Sequence, residues 1–123
     1  MAFLDETGLA ELWSLITARD LKIATGSYQG TGTYGKSNPN TLTFDFQPKV
    51  LLVWVQSKGL YAPAWPYSNT NVKAMIAFYG NTSATTGETV TLSWSGTSVS
   101  WYNTSYDYYQ LNYNTTHQYI AIG

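Results

Sequence analysis

Glu88-Thr-Val-Thr-Leu-Ser-Trp-Ser-Gly-Thr-Ser-Val-Ser-Trp-Tyr102 decides the fold class. Val90, Leu92 and Trp94 alternate with Thr91, Ser93 and Ser95; past the turn, Val99 and Trp101 alternate with Ser98, Ser100 and Tyr102. Strand side chains point to opposite faces with a period of two, so this spacing gives a hairpin with one apolar and one hydroxyl face. Ser95-Gly96-Thr97 supplies the turn, because glycine takes the positive φ that tight hairpin turns require.

Outward from the hairpin the same grammar recurs. Leu42, Phe44 and Phe46 fall on one face of Thr41-Leu-Thr-Phe-Asp-Phe46. Val50-Leu-Leu-Val-Trp-Val55 is apolar at every position, which predicts a central strand covered on both sides. Residues 72–79 return to strand after the long irregular stretch 57–71, and residues 81–87 are polar loop. Tyr109-Gln-Leu-Asn112 and Gln118-Tyr-Ile-Ala-Ile122 read as a last pair of strands turning at residues 114–117. The Gly-spaced run 26–35 is a strand or arm, and residues 36–40 a turn that Pro39 helps to fix. Seven or eight short strands between turn clusters predict an antiparallel β-sandwich.

Only the start differs. Asp5 is a good N-cap, Glu6 suits the positive helix end, and Leu9, Leu12, Trp13 and Ile16 recur at helical spacing. The expected architecture is therefore mainly β: an N-terminal α-helix within residues 1–25, followed by a β-sandwich domain at residues 26–123. A four-turn helix is marginal alone and must pack on something. Leu9, Leu12, Trp13 and Ile16 either form an oligomerisation seam with neighbouring chains or cover a face of their own β-domain.

Composition narrows the function. The 123 residues carry six basic and seven acidic side chains, a formal net charge of −1, and no basic run, which argues against nucleic acid as a partner. No cysteine is present, so disulfides and thiolate metal sites are out. No signal peptide or transmembrane segment is expected, and hence no membrane insertion. Charged residues make up only 11% while there are eleven Tyr and five Trp, more than one core needs. Aromatics with polar tips suit wet interfaces and stacking on sugars or partner side chains.

Three stretches carry a family resemblance. Phe3-Leu-Asp-Glu-Thr-Gly-Leu-Ala-Glu-Leu-Trp-Ser-Leu-Ile16 resembles the FLDExGLxxLWxxI opening of tail-fibre and tail-appendage proteins from phages and prophages of Gram-positive gut bacteria. Tyr28-Gln-Gly-Thr-Gly-Thr-Tyr-Gly-Lys-Ser-Asn-Pro-Asn-Thr-Leu-Thr-Phe44 and the closing segments 93–102, 110–112 and 119–123 resemble a β-domain of the same proteins. The resemblance implies a homotrimeric, receptor-binding type of tail component located in the virion. Helices would lie at its centre and β-domains distally, with other tail proteins as partners. It transfers no catalytic or ligand residue by position. The long attachment regions usual in that family have no counterpart in this sequence.

No enzyme chemistry is expected. His117 is the only histidine and reads as a hairpin-turn residue, so a His-rich metal site is impossible. A glycosidase needs two facing carboxylates, and Asp45, Glu88 and Asp107 lie in three distant segments. Gly30-Thr-Gly-Thr-Tyr-Gly35 matches a phosphate-loop pattern by letters alone, since it does not join a strand to a helix. No cofactor or metal is expected.

Binding is the remaining chemistry. Two aromatic-rich loops are the candidates: Tyr61, Trp65 and Tyr67 in one, and Tyr102, Asn103, Tyr106, Asp107 and Tyr108 in the other. Rings stack on the C–H faces of sugars while Asn and Asp bridge hydroxyls, which suits a host surface glycan or glycopolymer. Such surfaces also make adaptable protein contacts. The plainer reading has these rings packing between protomers, which would make the chain a purely structural tail or baseplate part.

Overall fold

The computed structural model describes residues 21–55 and 73–123. These form β1 (Ile23–Gln29), β2 (Asn40–Thr43), β3 (Val50–Val55), β4 (Ala74–Phe78), β5 (Ser83–Thr85), β6 (Thr89–Ser95), β7 (Ser98–Tyr102) and β8 (Thr116–Ile122). Two four-stranded antiparallel sheets result, with orders β1-β8-β3-β4 (sheet I) and β2-β7-β6-β5 (sheet II). They pack face to face as a sandwich. Leu51, Val53, Met75, Ala77 and Ala121 of sheet I meet Val90, Leu92, Val99 and Trp101 of sheet II in one core, joined by Phe44 and Leu111.

The β6–β7 hairpin follows its alternation. Ser95 pairs with Ser98 across Gly96-Thr97, and Gly96 takes φ 59°. Val90, Leu92, Val99 and Trp101 are buried, and half-buried Trp94 donates its indole N–H to the Asn81 carbonyl at 2.8 Å. Leu42 and Phe46 pack against the core from the same side as Phe44, as their spacing predicts, although β2 itself ends at Thr43.

Four expectations need correction. The N-terminal helix lies outside the described residues apart from its last positions, and there Ile23–Gln29 is a strand, so the β-domain begins before residue 26. Among the described residues there is no helix. Residues 109–112 are not a strand; β8 pairs instead with β1 and β3, a non-local arrangement that alternation cannot reveal. The polar loop 81–87 holds the short edge strand β5. Finally, β3 is central in its sheet, but only Leu51, Val53 and Val55 are buried, while Val50, Leu52 and Trp54 on its other face are half-buried.

The two outer faces differ in chemistry. Sheet II presents hydroxyls, with Thr41 bonded to Ser100 at 2.9 Å and Thr43 to Ser98 at 2.8 Å. Sheet I presents aliphatic and aromatic side chains, with Ile23, Ile76 and Phe78 exposed.

Candidate ligand-binding surface

Beyond β7 the chain enters the loop 103–115, and its buried polar side chains set its shape. Asn103 is buried; its Oδ1 accepts from the Ser105 and Tyr106 amides at 2.8 and 3.0 Å, and its Nδ2 donates to the Thr89 carbonyl at 2.9 Å. Gln110 is fully buried and works as a hub. Its Oε1 accepts from the Gly35 and Asn103 amides, both at 2.9 Å, and its Nε2 donates to the Asn38 carbonyl at 2.7 Å and Asn40 Oδ1 at 3.1 Å. Its own carbonyl accepts the Trp101 indole N–H at 2.8 Å. Asn112 does the same for the glycine-rich connection, accepting from the Thr31 amide and donating to Thr31 Oγ1 and the Thr33 carbonyl.

Between these two amides Leu111 sits at φ 60°, a region costing a non-glycine residue on the order of 1 kcal/mol. Its side chain is fully buried in the core, and its carbonyl accepts from Tyr28 Oη at 2.7 Å and Asn40 Nδ2 at 3.1 Å. The burial and the two bonds offset the strain. The loop is thus held in one shape from below.

Three tyrosines ride on that base. The Tyr106 and Tyr108 rings stack 5.0 Å apart at 9°, and Tyr109 leans on both at 6.0 and 4.8 Å. Tyr106 is half exposed. The Lys73 ammonium lies 5.0 Å from the Tyr109 ring centre, in cation–π range, and burial lowers its pKa. Desolvation pushes the Tyr108 phenol up, followed by its neighbours Tyr109, Tyr106, Asp107 and Glu88, so it remains a neutral hydrogen-bond donor. Lys73 is buried, whereas Tyr106 is exposed with Tyr108, Tyr109 and Asp107 half-buried beside it, so the cluster can offer a ring face for stacking and a carboxylate for bonding hydroxyls.

The structure brings Tyr106, Asp107 and Tyr108 together with Tyr109, their neighbour in the same aromatic-rich loop, and adds Lys73. Tyr102 lies elsewhere, opposite Thr91 on the outer face of sheet II. Asn103 is a correction: its amide is consumed by the loop and offers a ligand nothing. Tyr61, Trp65 and Tyr67 lie outside the described residues, as do Leu9, Leu12, Trp13 and Ile16. His117 is a second correction. It sits in β8, fully buried, its ring stacked 5.0 Å from Tyr28 at 7°, and burial pushes its pKa down to about 4.

A feature that sequence reasoning missed lies where the β1 and β2 edges face each other. There a cleft of about 310 Å³ opens beneath the glycine-rich connection, lined by Tyr28, Thr33, Asn38, Asn40 and Trp101 among others. Among the described residues no charged side chain lines it, and its buried Asn112 and half-buried Asn40 amides are already bonded within the protein. Its construction is that of a structural seam. The hint in the sequence was the density of Asn and Gln beside glycines, which marks loops that bond to themselves.

Among the described residues no group of three or more His, Asp or Glu side chains gathers as a metal site would require, and no helix is long and apolar enough to cross a membrane. No protein-family model, curated protein or solved structure matches the chain.

Proposed function

We propose that this protein is a non-enzymatic phage tail component, homotrimeric in the virion, whose β-domain binds a host cell-surface carbohydrate or similar receptor. The observation that carries the reading is the Tyr106–Tyr108–Tyr109 cluster, with Tyr106 exposed and the other two rings half-buried, on a loop locked by Gln110, Asn103 and Asn112. Preorganisation matters because a loop already held in its bound shape loses less entropy when a ligand arrives. The half-buried Asp107 supplies a polar contact beside the rings, the buried Lys73 ammonium supports Tyr109 from beneath, and no cofactor enters. The family resemblance at residues 3–16 and 28–44 supports the tail location, the trimer and association with other tail proteins.

The rival is a purely structural tail or baseplate part. Mutual stacking of the three rings favours it, since rings satisfied by one another need no ligand. The double variant Tyr106→Ala, Tyr108→Ala separates the two. Adsorption to Gram-positive cells is expected to fall at least about tenfold, the loss of about 1.4 kcal/mol that one or two stacking contacts supply. Unchanged adsorption by a folded variant sends the reading to the structural rival.

A further inference from the structure

We infer that the outer face of sheet I is the docking site of the chain's own N-terminal segment, residues 5–19, laid across it as an amphipathic helix. This goes beyond the receptor-binding reading and does not depend on it.

Strand register assembles the face. Ile23, Ile122, Val50 and Phe78 form one row across the four strands; Thr25, Ile120, Leu52 and Ile76 form the next, and Ser27, Gln118, Trp54 and Ala74 the third. Eight of these twelve positions are large and apolar, and Ile23 and Phe78 are more than half exposed. The outer face of sheet II, by contrast, is a field of serine and threonine. Ile76 is exposed as well and the other five are half-buried, and a contiguous apolar patch of this size is often an interaction site, so one outer face suits solvent and the other suits cover.

Size decides between occupants. Four strands about 4.8 Å apart and three residue rows about 7 Å apart give a face of roughly 20 Å each way, on the order of 400 Å². A stable interface between two copies needs about 800 Å² per partner, twice that. A helix of residues 5–19 is about 22 Å long and about 10 Å wide, which fits the face.

Position and pattern agree with size. Residue 19, the end of the segment, stands four positions before Ile23, the corner of the first row. Leu9, Leu12, Trp13 and Ile16 give that segment one apolar stripe. The face also carries an open hollow of about 420 Å³ lined by Thr25, Ser27, Trp54, Gln118 and Ile120, with room for an indole such as that of Trp13. The same four side chains cannot also form a seam between helices. Contacts within a trimer then fall on other surfaces.

The absence of cysteine makes the test clean. Leu12→Cys is paired with Leu52→Cys at the centre of the face, or with Thr91→Cys on the opposite sheet as control. A short bis-maleimide is used because helix and sheet backbones stand too far apart for a direct disulfide. Intrachain cross-linking of the 12–52 pair as the main product, with none for 12–91, is the expected result. Cross-links only between chains would assign the face to a second copy, and no cross-link at all would leave it uncovered by this segment; either overturns the proposal. As a second readout, Trp13→Asp in the full chain should raise binding of a hydrophobic dye to the folded protein, and an unchanged dye signal counts against the docking.

Discussion

Gln110 shows how one buried amide can organise a surface it never reaches. Four bonds from one side chain tie residues 35, 38 and 40 to residue 103, so two loops distant in sequence share one support. Leucine at this position keeps the volume but leaves two backbone amides and a carbonyl without partners in the interior. Gln110→Leu is expected to lower stability by about 3 kcal/mol, since each stranded group costs about 1–3 kcal/mol and water recovers part of it. Urea denaturation measures this, and a loss within experimental error would mean that the loop has another support. His117 gives the residue scale its pH dependence. Unfolded, an imidazole protonates near pH 6.5; folded, this one protonates near about 4, because burial disfavours the charged ring and neither ring nitrogen has a hydrogen-bond partner among the described residues. Between those values the unfolded chain holds more protons, so stability is complete above pH 6.5 and falls as pH drops towards 4. The full effect is about 3 kcal/mol, and His117→Phe, which keeps the stack on Tyr28, should remove that part of the slope. Denaturation midpoints at about pH 7 and about pH 4.5 compare the two proteins; parallel slopes would clear His117 of the role.

At the scale of elements, legibility follows locality. The β6–β7 hairpin could be read outright because alternation, turn glycine and partner all lie within fifteen residues. β8 was recognisable as a strand from Gln118-Tyr-Ile-Ala-Ile122, yet its partners β1 and β3 were not, because nothing local specifies which distant strand supplies the other half of a ladder. Polar and apolar positions alternate across residues 109–112, as they would in a strand. The structure spends the same alternation differently, burying Leu111 as a plug and sending the flanking amides to side-chain bonds. The tyrosine platform was legible as a cluster, since its members are neighbours in sequence. Its support was not, because Gln110 acts on residues about seventy positions away. Gly30 tests the element that joins the two regions. Its amide bonds to the Thr115 carbonyl at 2.9 Å, and any Cβ there runs into the backbone of Tyr113. Backbone cannot swing aside as a side chain can, so Gly30→Ala is expected to cost about 2 kcal/mol or more in thermal or urea unfolding. A neutral Gly30→Ala would show that this crossing is looser than drawn.

For the whole molecule, the two outer faces divide the labour. The hydroxyl field of sheet II belongs in water, so Thr91→Lys or Ser93→Lys should change stability by less than about 0.5 kcal/mol. The apolar face of sheet I needs cover, and the tyrosine platform stands on a loop between β7 and β8. A homotrimer of a 13.7 kDa chain has a mass near 41 kDa, which light scattering on a sizing column reads directly. A single-chain mass would remove the trimer while leaving the sandwich and its loops intact. The most direct test of the central claim, a preorganised aromatic platform that binds host carbohydrate, is an array of bacterial surface glycans and cell-wall glycopolymers. It would be probed with the full chain, the Tyr106→Ala, Tyr108→Ala variant and Thr91→Lys as control. The account predicts that the full chain and Thr91→Lys bind the same glycans and that the double variant loses them while remaining folded. Equal binding by all three proteins, or binding by none, would contradict it.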